Sequence, residues 1–167
     1  TTPERELTMQ TLADDLAAVV RAVRELPRAR RVIVAGHSEG GVVALLAAAA
    51  EPVDGIALLA TPGRSTEAIL REQLSTKVDA ATMADVERIL AGLRAGEDVP
   101  VSAPLDSLFR PSVQPFLRSQ IAIDPAALLA ALAVPAVVIV QGAHDAQVRE
   151  HDARALVAAR PSARLVL

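Results

Sequence analysis

Arg31 to Gly41 reads RRVIVAGHSEG, and this short stretch decides the fold. Val32, Ile33, Val34 and Ala35 form an apolar, mostly β-branched run without a charge, the pattern of a parallel strand buried on both faces. Val42 to Ala50 is rich in Ala and Leu and reads as a helix. Between them Gly36-His37-Ser38-Glu39-Gly40 matches G-x-S-x-G at a strand-to-helix turn, the context in which that spacing makes a nucleophile elbow.

The spacing has a physical reason. A serine at the apex of such a turn is held in a strained backbone conformation, and Gly36 and Gly40 are expected to remove collisions that side chains would make with the strand and the helix. The turn would lift the Ser38 hydroxyl above the sheet edge as a nucleophile. It would also aim the Glu39 backbone N–H at the place where an oxyanion forms, with the positive end of the helix dipole behind it. The Glu39 side chain then reads as a rim charge or a substrate contact. The competing readings are a packing turn or a phosphate cradle, and no G-x-x-x-x-G-K-[ST] exists to support the second.

Outward from this turn the chain reads as an α/β fold: a mostly parallel sheet of about four strands with flanking helices. Thr8 to Leu26 carries a helical stripe at Leu12, Leu16, Val19, Val20, Val23 and Leu26, ending at Pro27, and should cover one sheet face. A second buried strand is expected at 55–60, a third at 136–140 and a fourth at 163–167, with a helix over 149–160 before the last. Residues 1–62 and 133–167 thus form two parts of one core, and 63–132 a helical cap insertion without a convincing strand.

Within the insertion, Ser65 is placed to cap a helix running to about Thr76. Thr82 with Asp85 resembles a capping pair before Val86, Ile89, Leu90 and Leu93, and Gly96 should close that helix. Pro100, Pro104, Pro111 and Pro115 break the chain, and Asp124-Pro125 opens a last helix to about Leu132. Arg64 and the insertion's charges read as solvated faces.

A serine hydroxyl needs a general base, normally a His oriented by a carboxylate, in the chain order Ser, acid, His. Asp145 lies just past the carboxyl end of the 136–140 strand, where functional groups gather in parallel sheets; a loop-capping Asp is the other reading. Of the three histidines, His37 precedes the nucleophile and His144 adjoins the acid. His151, six residues past Asp145, is the one internal substitute for the base, against a plain surface residue. His144 and His151 are spaced i, i+7 with an Asp beside each, but a catalytic zinc wants three convergent protein ligands, so no metal and no cofactor is expected.

Composition removes other classes. Net charge is −3, no basic run exists, Trp and Tyr are absent and Phe109 and Phe116 are the only aromatics, which leaves no nucleic-acid face. Absence of Cys removes thiolate nucleophiles and disulfides together. The Ala-rich runs at 43–50 and 126–133 are too short to span a membrane. Compartment and oligomeric state stay open.

GHSEGG after VIVAG, together with VVIVQGAHDAQV, resembles the α/β-hydrolase superfamily, especially its bacterial esterase and serine-aminopeptidase-like members. The resemblance implies a carboxylesterase-like serine hydrolase, or a peptidase or amidase, that works through an acyl-enzyme on Ser38 with Asp145 as the acid. It places the triad His after the next strand, beyond Leu167. The apolar cap suggests a small-molecule substrate, a hydrophobic acyl ester. The family's opening strands and oxyanion loop have no counterpart here, and the start TTPERELTM lacks an initiator Met, so the sequence reads as a segment of a longer hydrolase. Two rivals share the residues: a non-catalytic ligand-binding module on the same scaffold, and an acyltransferase.

Overall fold

The computed structural model describes residues 3–167. In chain order its main elements are α1 (Met9–Arg24), β1 (Ile33–His37), α2 (Glu39–Ala50), β2 (Gly55–Leu59), α3 (Thr66–Ser75), α4 (Ala80–Arg94), α5 (Asp106–Phe109), α6 (Gln114–Ile121), α7 (Pro125–Ala131), β3 (Val137–Val140), α8 (Glu150–Ala159) and β4 (Arg164–Val166). The chain divides into two compact units. One comprises Gln10–Arg64 with Asp124–Leu167, and the other Ser65–Ile123 with the segment ending at Met9.

The first unit is a four-stranded sheet in the order β1-β2-β3-β4, every neighbouring pair parallel. His37 pairs with Leu59, Leu59 with Val140 and Val140 with Val166, so all four strands end at one level. Val34, Ile56, Leu58 and Ile139 point into a core shared with Ala44, Leu45 and Ala48 of α2, Leu129 of α7, and Ala153 and Leu156 of α8. On α1 the packing surface is the small-residue line Ala13 and Ala17, which lies against Ala47 of α2. Val20 joins the main core. Val19 and Leu26, read from the sequence as part of the apolar stripe, are exposed.

β1 departs from the expected burial on both faces: its residues alternate exposed and buried, and Ile33 is 65% exposed. The cause is topological. Among the described residues, the helices that pack on the sheet share one core on the face of Val34 and Ile56, and Ile33 points to the other face. The opposite face also leaves Val140 and Val166 exposed, so β3 and β4 are likewise not buried throughout.

The second unit is helical and has its own core of Leu70, Val86, Ile89, Leu90, Leu93, Phe109 and Leu117. Ser65 caps α3 by accepting the Ala68 N–H at 3.3 Å. The cap of α4 is Asp79, whose carboxylate accepts the Thr82 N–H at 2.8 Å. Asp85 instead bonds Arg88 and Ser102, which corrects the expected Thr82–Asp85 pair. Gly96, with φ +84, ends α4 as its spacing suggested. Buried Gln114 joins the Val99 N–H and the carbonyls of Val99 and Phe109, holding α6 to the preceding loops. Buried Glu67 is paired with Arg94 and Arg71, so these charges are not merely a solvated face.

Candidate active site

β1 ends at His37 and α2 begins at Glu39, which leaves Ser38 alone to make the turn. Its backbone sits at φ 53, ψ −125, a region that costs a non-glycine residue about 1–3 kcal/mol and persists only where surrounding structure enforces it. Here the enforcement is visible. The Ser38 N–H donates to the Leu59 carbonyl at 2.8 Å, and the Ser38 carbonyl accepts the Gly41 N–H at 3.0 Å.

Glycine is required at two places around this turn, and one differs from the expectation. A Cβ at Gly36 would overlap the backbone of Gly40 and Gly41, as the motif reading anticipates. A Cβ at Gly40 would meet nothing within 4 Å, because that position faces open space. The second close approach is at Gly41, whose Cα lies against the Thr61 side chain. Thr61 is buried, and it reaches this place because Ala60, the residue after β2, takes a positive φ of 45 while its N–H donates to the Val140 carbonyl at 2.8 Å.

Glu39 is the first residue of α2, so its amide lies at the positive end of the helix dipole, beside Ser38; its side chain is exposed.

Asp145 stands in the loop between β3 and α8, on the same carboxyl edge of the sheet as Ser38. β1 and β3 flank β2, which separates their ends by roughly 10 Å. The Asp145 carboxylate accepts the N–H groups of Gln147 at 2.8 Å and Val148 at 3.1 Å. These two backbone bonds hold its pKa below the usual Asp value against a partial burial that raises it, with smaller electrostatic help from His37 and Arg149. The carboxylate is therefore ionised near neutral pH and kept in place by its own loop. Gln141 closes that loop from inside, its buried amide donating to the Val148 carbonyl at 2.9 Å.

His151, the internal substitute base, lies with Nε2 at 3.5 Å from Asp152, so the carboxylate beside it is Asp152 and not Asp145. His144 is exposed in the loop that carries Asp145. No cluster of three metal-ligating side chains exists among the described residues.

The sequence matches the alpha/beta hydrolase family over residues 1–167. The chain belongs to that family.

Esterase EstD of Thermotoga maritima is 28% identical over an aligned length of 146 residues, with 83% of this chain and 33% of EstD covered. This alpha/beta hydrolase chain thus spans about a third of that curated relative. A thermophilic esterase from Thermogutta terrifontis, solved with malate bound, superposes with a TM-score of 0.57 at 20% identity, over 96% of this chain and 63% of its own. The enol-lactonase from Burkholderia xenovorans LB400 gives 0.56 at 21%, over 96% and 64%. Identities this low speak for the shared fold alone.

The motif reading missed residues of this hydrolase chain that shape the site from other strands. Thr61 and Ala60 carry no motif, and only the Thr61-Pro62-Gly63 turn after β2 marks their neighbourhood. Arg64, read as a solvated charge, forms a two-pronged bridge to Asp152, which is fully buried at 0% exposure.

Proposed function

We propose that the protein is a serine hydrolase acting on ester bonds of small, hydrophobic acyl substrates, with Ser38 as nucleophile and Asp145 as the acid of a Ser-Asp-His triad. The observation that carries this reading is the backbone of Ser38, held at positive φ between a parallel strand and a helix N-terminus. Strain of this kind, enforced from two sides, serves to present a side chain. Family membership and the esterase name of a relative support the reaction class.

In this reading the base is a His that the natural chain supplies past Leu167. The fixed, ionised Asp145 suits the task of orienting such a His and stabilising its charged form. The Ser38 hydroxyl oxygen attacks the ester carbonyl carbon and its proton passes to the His. The Glu39 N–H, with a second donor from elsewhere in the natural chain, holds the resulting oxyanion. The carbon–oxygen bond to the alcohol breaks, and the His proton goes to the leaving oxygen. Water then repeats the sequence on the acyl-enzyme and releases the acid.

Hydrolysis of p-nitrophenyl butyrate by the full natural chain tests this. Ser38→Ala should lower kcat by at least about a thousandfold, and Asp145→Asn by a smaller but large factor. Retention of turnover by Ser38→Ala would refute the nucleophile.

A further inference from the structure

The Arg64–Asp152 bridge lies outside the motifs, yet it joins the parts of the sheet unit that carry Ser38 and Asp145. Asp152, in the first turn of α8, is fully buried. Its Oδ1 accepts the Gly63 N–H at 3.2 Å and the Arg64 Nε–H at 3.0 Å, and its Oδ2 accepts from Arg64 Nη2 at 3.0 Å. His151 stands at 3.5 Å on the same Oδ2. Gly63 packs so closely on α8 that a Cβ would overlap the Asp152 carbonyl. The loop leaving β2 is therefore seated on the start of α8 by backbone contact, by a backbone hydrogen bond and by a planar guanidinium fork, the geometry in which Arg fixes a carboxylate most firmly.

That seat connects two mechanical lines. Toward the nucleophile, the same β2 exit holds Ser38 through the Leu59 carbonyl and backs Gly41 with Thr61. Toward the acid, α8 follows directly on the loop that carries Asp145, a loop whose other end is tied to β3 by Gln141. The far end of α8 is anchored as well, with Arg160 Nη2 donating to the Val134 carbonyl at 2.6 Å before β3. With both ends of α8 held, the place of the Asp145 loop relative to the elbow depends on where the start of α8 sits. We propose that Arg64 and Asp152 are positioning residues that fix the acid loop relative to Ser38, an inference that rests on the serine-hydrolase reading above. Neither residue touches substrate; both act through Asp145.

The test uses the full natural chain and p-nitrophenyl butyrate, with Asp152→Asn, Arg64→Lys and Ser38→Ala compared well below their melting temperatures. Loosening the seat by about an ångström should lower kcat of Asp152→Asn roughly 10- to 100-fold. KM should stay within about twofold, because ground-state binding is untouched. The acid limb of the kcat/KM profile should move to lower pH, since a base His with a displaced carboxylate loses the interaction that raises its pKa. A purely structural role would leave both kcat and the profile of the folded variant unchanged, and that result overturns the proposal. Should Asp152→Asn melt below the assay temperature, Arg64→Lys, which keeps the charge but not the fork, decides by the same two readings. An active Ser38→Ala overturns the hydrolase reading and this inference with it. A silent Ser38→Ala beside a wild-type-like Asp152→Asn overturns the inference alone.

Discussion

Thr61 rests its side chain against the Cα of Gly41, in the space that a Cβ would fill. The relationship separates the glycines of the elbow by function. Gly41→Ala forces overlap with a buried side chain and should destabilise the protein by about 1–3 kcal/mol, as overpacking does. Gly40→Ala meets nothing and sits inside α2, so it should stabilise by about 0.5–1 kcal/mol through helix propensity. Urea melts of the two variants check both signs, and Thr61→Ala added to Gly41→Ala should recover part of the loss.

The acid loop makes a pH-dependent contribution to stability. Asp145 has a folded pKa depressed mainly by the Gln147 and Val148 amides. Its contribution is fully present above the unfolded Asp value of about 3.9 and is lost as pH falls through the lower folded value. Asp145→Asn should lower stability at neutral pH, and the difference from wild type should shrink as pH drops below about 4. Denaturation at a series of pH values measures that difference directly.

The start of α4 offers a cleaner comparison, away from the site. Asp79→Ala removes the carboxylate that accepts the Thr82 N–H and should lower the melting temperature by about 2–4 °C. Asp85, which bonds Arg88 and Ser102 on the exposed surface, should cost less stability than Asp79 when replaced by Ala. Thermal melts of the two variants rank them.

The uncovered sheet face predicts self-association of these 167 residues produced alone. Ile33, Val140 and Val166 are exposed on one face, and β1 is the outermost strand on its side among the described residues. Light scattering on a sizing column should show species larger than a monomer, and Ile33→Lys should shift the population toward monomer.

How much of this was legible in the sequence follows from the range of the forces involved. The strand, turn and helix around Ser38 are local, so hydrophobic periodicity and two glycines sufficed to place them, as they did for Asp145 at the end of β3. Burial was not local: β1 is apolar on both faces, yet the helices among the described residues pack on the Val34 face and leave Ile33 exposed. The role of Gly41 depends on Thr61, brought there by a positive φ at Ala60 that no residue type announces. Arg64 and Asp152 are 88 positions apart, and nothing in either neighbourhood points to the other. The α4 cap was misplaced by one turn because Asp79, Thr82 and Asp85 are all competent cap residues, and packing chose among them.

If Ser38 is an activated nucleophile, a fluorophosphonate should label it in the full natural chain. One covalent adduct per chain is expected, mapped by mass spectrometry to the peptide containing Ser38 and absent from Ser38→Ala. Equal labelling of wild type and Ser38→Ala, or an adduct on another residue, would contradict it.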